Sequence, residues 1–154
     1  MAIKGAAGLP REAGRLLGLV VHGVEVYYDP DTEQLAHAVG VWWRKRIVVG
    51  PIWWTLHRRE RYAILLHEAG HCRRYHLEVR LLWLPLFWTE FAARLCRQQE
   101  LAADAFVAEQ GYGADLLAAL RRLETVPGTF YPSHEERYAA LERRIKEHPH
   151  AIAA

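Results

Sequence analysis

His67-Glu68-Ala69-Gly70-His71 is a run whose residue types and spacing specify chemistry before anything else in the chain is considered. On an α-helix, positions 67 and 71 project from one face, about 6 Å apart along the axis, so two imidazoles can reach one zinc ion. Glu68 is displaced around the helix and is left to hold a water instead of the metal. Zinc lowers the pKa of such a water to about 7, and a carboxylate beside it can take the proton and pass it to a leaving amine. A bare H-E-x-x-H also arises by chance, so the motif needs support from its surroundings. Two features supply it: the motif falls inside a strong helical pattern, and a third donor follows in a second one. That donor is Glu100 in Glu100-Leu-Ala-Ala-Asp104, which completes a His₂Glu set and leaves the fourth zinc position for water. Asp104, one turn further, can accept a hydrogen bond from a ligand imidazole and fix its orientation. The plain alternative for Glu100 and Asp104 is a solvated acidic helix face.

The remaining histidines fit less well. His76 comes five residues after His71 and, on a continuous helix, would lie about 140° around the axis. A three-histidine zinc pattern needs glycine and histidine three and six residues after His71, where Arg74 and Leu77 stand, so that pattern is excluded. His22, His57, His148 and His150 have no partner motif and read as surface or structural residues.

The elements that must position these groups follow from periodicity. Pro10 opens a short amphipathic stretch, Arg11 to Leu19, that reads as a helix with proline in its first turn. Three β-like runs come next, Val24–Tyr28, Leu35 to Trp43 and Arg46–Val49, with Asp29-Pro30-Asp31 as a turn between the first two. Beyond Pro51 the pattern is helical. Tyr62, Leu65, Leu66 and Ala69 mark the core face of a helix from about Arg58 to Trp83, ended or kinked by Pro85. A second helix runs from about Thr89 to Gln110 and stops at Gly111. A third spans Ala114 to Glu124. Ser133, with Glu136 three residues later, forms a capping box for a last helix that ends before Pro149. The expected fold class is α+β, mainly helical with a small three-stranded, largely antiparallel sheet, and residues 1–154 read as a single domain.

Composition narrows the function classes. The chain is 51% hydrophobic and 25% charged with a net charge of +2, which leaves no footprint for nucleic acid. Its Arg-Arg pairs lie in Glu-rich helical patterns and read as solvated faces. Cys72 and Cys96 fit no disulfide framework or metal motif, so each is expected to be a small buried residue in a reducing, cytoplasmic setting. The most apolar run, Leu81 to Trp88, is far below the roughly 20 residues that span a bilayer. The expectation is no transmembrane segment, with peripheral contact to a membrane surface left open. Oligomeric state is not written in the sequence.

Three blocks together resemble a known family: Leu65-Leu-His-Glu-Ala-Gly-His71; Gln99-Glu-Leu-Ala-Ala-Asp-Ala-Phe-Val-Ala108 with Leu116 to Leu123; and Tyr131-Pro-Ser-His-Glu-Glu-Arg-Tyr-Ala-Ala-Leu141. They are similar to blocks of the gluzincin zinc metallopeptidases, in particular the HtpX-like heat-shock peptidases and the CAAX prenyl endopeptidases, over roughly residues 20 to 147. The resemblance implies a zincin-like fold and a bound Zn2+ held by His67, His71 and Glu100, with Asp104 behind them and Glu68 as the general base. It also implies transition-state roles for Arg137 and for Tyr131, which stands where the family has histidine; His134 is a second candidate for that role. His37-Ala38-Val39-Gly40 resembles a family segment on the strand beside the cleft, with His37 in place of asparagine, and implies that His37 and Ala38 bind substrate backbone. The function so implied is a zinc endopeptidase acting on a peptide or protein substrate. Two alternatives stay open: a regulatory peptidase that cleaves repressors, and a zinc-stabilised interaction module without catalysis.

Overall fold

The computed structural model describes residues 14–82, 89–123 and 131–148. Four strands, β1 (Arg15–Val21), β2 (Val24–Tyr28), β3 (Ala36–Val39) and β4 (Arg46–Val49), precede five helices: α1 (Arg58–Arg73), α2 (His76–Leu82), α3 (Glu90–Glu109), α4 (Gly113–Leu123) and α5 (His134–Glu147). The class is α+β, as expected, but the sheet is four-stranded and mixed, in the order β1-β2-β4-β3. β4 lies parallel to β2 and antiparallel to β3, so the expectation of three largely antiparallel strands is corrected.

The additional strand is β1, in the stretch that reads as a helix. Its residues Leu16, Leu17 and Leu19 lie where a β-bulge interrupts the strand, and most of β1 is exposed, so no two-residue alternation marks it. The pairing with β2 shifts between Leu16 and Leu19, and Gly18 sits between them at φ +69°. A two-residue turn closes the hairpin. His22 and Gly23 both have positive φ, the backbone that matches the twist of paired strands.

Val24, Val26 and Tyr28 of β2 join Ile47 and Val49 of β4 and Ala38 of β3 in the core. Leu65, Leu66 and Ala69 of α1 lie in the same cluster, and α1 packs against α3, α4 and β3. Full burial of leucines such as Leu66, Leu116 and Leu141 contributes roughly 2 kcal/mol apiece.

The helix expected from Arg58 to Trp83 is broken. α1 ends at Arg73, Tyr75 takes a left-handed φ of +56°, and α2 restarts at His76. The cause comes from a distant part of the chain. Lys45, just before β4, donates to the carbonyl of Cys72 at 2.6 Å, an acceptor that a continuous helix would reserve for His76. The same ammonium lies 4.0 Å from the centre of the Tyr75 ring and pairs with Glu78 at 2.8 Å. Trp83 and Pro85 lie outside the described residues, as do residues 11–13 and most of the loop before Ser133.

The other helix ends match their sequence signals. The Thr89 hydroxyl accepts from the Ala92 N–H at 3.3 Å, and the Ser133 hydroxyl from the Glu136 N–H at 3.1 Å. Gly111, at φ +81°, terminates α3. Cys72 and Cys96 are buried free thiols, and burial, then Glu68, pushes Cys72 up to about 11. Among the described residues no helix is long and apolar enough to cross a membrane.

Candidate metal centre

The site forms where α1 packs against α3. Gly70 faces Ala103 and Phe106; a Cβ at position 70 would meet the Phe106 ring at 3.2 Å. Absence of that side chain lets the two helices bring His67 and His71 against Glu100 and Asp104.

His67, His71 and Glu100 are all buried and offer three donor atoms to one point. The two Nε2 atoms are 3.1 Å apart. His67 Nε2 lies 3.3 Å from one oxygen of Glu100, and His71 Nε2 lies 3.4 Å from the other. One donor atom from each of the three residues lies within 4.8 Å of the others, and two imidazoles with a carboxylate are a donor set that zinc takes. Glu68 stands apart from the cluster, half-buried, and lines the adjoining cavity.

Charge is arranged behind the donors in layers. His67 Nδ1 faces Asp104 Oδ1 at 2.9 Å. Asp104 is 1% exposed and receives both Nε and Nη2 of Arg137, at 2.8 and 2.7 Å. Burial raises the Asp104 pKa, but Arg137 and then His67 outweigh it and hold the carboxyl below its ordinary range. Burial likewise acts against a charged His67, yet Asp104 and Glu100 raise its pKa to about 10. Glu100 is held well below the usual carboxylate range against the effect of burial, chiefly by the two imidazoles. Two buried carboxylates, Glu100 and Asp104, thus face the donor imidazoles.

Two further residues reach this centre, and neither stands out in the sequence. Arg80 of α2 donates from Nε to Gln99 at 2.7 Å and from Nη2 to Glu100 at 2.9 Å. His76, which a continuous helix would turn away, is buried with its Nδ1 2.9 Å from Nδ1 of His71. The break at Tyr75 reorients α2 and corrects that expectation. Periodicity carries no signal for either residue, because the Lys45 contact that sets α2 is long-range.

A cavity of about 470 Å³ opens beside the donors. His37 and Ala38 line it from β3, the last strand of the sheet, whose second edge has no strand partner among the described residues. His37 Nδ1 is buried without a hydrogen-bond partner among them. Tyr131 and Arg137 line the cavity too. The Tyr131 phenol is raised above its ordinary pKa, by burial first and then by Glu100, and is therefore a donor at neutral pH. His134 is not among the cavity-lining residues; its ring stands 5.8 Å from that of Tyr138.

No family model matches the chain, and no curated protein matches it by sequence. Among solved structures it is similar to Ste24p from S. mikatae, with a TM-score of 0.58 and 18% identity. The match covers 76% of this chain and 44% of that one, so the chain spans less than half of that protein. The likeness is one of fold.

Proposed function

We propose that the chain is a zinc metalloendopeptidase domain. The observation that carries this is the convergence of buried donor atoms of His67, His71 and Glu100, all within 4.8 Å of one another, on a cavity that also holds Glu68. The zincin-like fold shared with Ste24p and the gluzincin resemblance of the sequence support it. Zinc held by those three residues would polarise a peptide carbonyl and make a water acidic enough to attack at neutral pH.

The chain's own residues supply the rest. Glu68 accepts the water's proton and returns it to the departing amine, so the carboxylate is regenerated in each turnover. The edge of β3 that has no strand partner among the described residues aligns an extended peptide by backbone hydrogen bonds, with His37 and Ala38 beside the scissile bond. Tyr131 donates its phenolic hydrogen to the carbonyl oxygen as negative charge develops there. Asp104 fixes the ring of His67, and Arg137 fixes Asp104.

The direct test is metal analysis of the purified protein together with hydrolysis of an unfolded protein substrate. One zinc per chain and chelator-sensitive cleavage are expected; zinc without cleavage would favour a non-catalytic module. Glu100→Ala should lose stoichiometric zinc, because two imidazoles alone hold it weakly. Tight, stoichiometric zinc in that variant would remove Glu100 from the ligand set.

Tyr131→Phe should lower kcat about tenfold with KM and zinc content unchanged. This is below the loss for an enclosed oxyanion donor because Tyr131 is 52% exposed and water can substitute for it. An unchanged kcat would make Tyr131 a packing residue.

A further inference from the structure

His76 belongs to none of the roles above, yet its place is closely defined. It is 7% exposed, and its Nδ1 lies 2.9 Å from Nδ1 of His71. The two rings cross edge to face, 4.9 Å between centres and 73° between planes. Two ring nitrogens at that separation share one hydrogen: one nitrogen carries it, and the other presents a lone pair.

The far side of His71 decides which. Its Nε2 converges on the same point as His67 Nε2 and Glu100. A nitrogen that gives its lone pair to a cation carries no hydrogen, so the hydrogen of neutral His71 must sit on Nδ1. His71 is then the donor, His76 Nδ1 is the acceptor, and the hydrogen of His76 is on its own Nε2.

We propose that His76 is a positioning residue for the metal centre, its bare Nδ1 accepting the Nδ1–H of His71 and so fixing the tautomer and ring plane of that ligand. The inference rests on the zinc reading of the site. It gives the two histidine ligands different supports. His67 faces an anion, Asp104, whereas His71 faces a neutral ring that directs it without adding negative charge to a centre already holding Glu100 and Asp104.

The surroundings of His76 keep it an acceptor. No carboxylate forms an ion pair with it among the described residues. The left-handed Tyr75 also gains a reason. A helix continued through residue 75 would carry His76 about 140° away; the turn at φ +56°, with Lys45 on the Cys72 carbonyl, brings the ring back onto His71.

The test is zinc affinity of the full chain, stripped of metal and titrated against a chromophoric chelator. His76→Phe keeps a buried ring without an acceptor and should weaken zinc binding 10–100-fold. His76→Asn, whose Oδ1 can take the same hydrogen, should stay within roughly threefold of wild type. The metal-free proteins should melt close together, which separates positioning from a packing role. In the zinc-loaded wild type, ¹⁵N shifts should show His76 unprotonated at Nδ1 and protonated at Nε2.

Wild-type affinity in His76→Phe, or a protonated Nδ1 on His76, would overturn the proposal and leave the zinc reading standing. A wild-type protein that takes up no zinc would overturn both. If His76→Phe does not fold, the nitrogen shifts of the wild type decide alone.

Discussion

Glu68→Gln is expected to lower kcat by about 10²–10⁴-fold while zinc content, fold and KM stay near wild type, the range for loss of a positioned general base. The asymmetry follows from where the residue sits. His67 and His71 are buried donors of the three-atom cluster, whereas Glu68 is half-buried, outside it and on the cavity wall. Removing its charge therefore takes nothing from the donors. The amide keeps the side chain's shape and a hydrogen-bonding oxygen, so a water can still be held, but glutamine cannot take a proton at neutral pH. The measurement is turnover at equal zinc loading, with metal content determined on the same sample. Near-normal turnover in a zinc-loaded Glu68→Gln protein would rule out this assignment and require a base from elsewhere in the cavity.

How far the sequence reveals this molecule depends on the range of the interactions involved. The His67-Glu68-Ala69-Gly70-His71 helix and the Glu100-to-Asp104 helix are legible because ligands on a regular helix are fixed by local spacing. The starts of α3 and α5 are legible because Thr89 and Ser133 cap within three residues. The β1 strand is hidden because it is mostly exposed and bulged near Gly18, so no two-residue alternation of buried side chains marks it. The place of β4 between β2 and β3 is decided by burial of Ile47 and Val49 on both neighbours' core faces, which no local pattern encodes. His76 and Arg80 are hidden for a related reason. Their direction depends on a break at Tyr75 that Lys45, thirty residues earlier in the chain, helps to hold.

Arg137 pairs with a buried carboxylate as well as lining the cavity, and its replacement should have the largest effect on stability. The resemblance gives the residue a transition-state role, yet both Nε and Nη2 are committed to Asp104 in a bidentate pair. The Arg137 and Asp104 side chains are only 12% and 2% exposed. Arg137→Leu strands a carboxylate that water can hardly reach, and breaking a buried pair from one side costs about 3–5 kcal/mol. The lower end, about 3 kcal/mol, is expected because His67 remains as a second partner at 2.9 Å. The sign of the pH dependence follows from the depressed carboxyl of Asp104. Its contribution to stability is complete above the unfolded value of about 3.9 and is lost as pH falls through the lower folded value. The gap between wild type and Arg137→Leu should therefore be widest near neutrality and shrink in acid. Adding Asp104→Leu to Arg137→Leu should recover part of the loss, since replacing both partners with apolar groups removes the stranded charge. Denaturant unfolding of the metal-free proteins at pH 7 and pH 3 reads all three expectations. If Arg137→Leu instead kept wild-type stability at pH 7 and lost only kcat, the guanidinium would act on the substrate and not through Asp104.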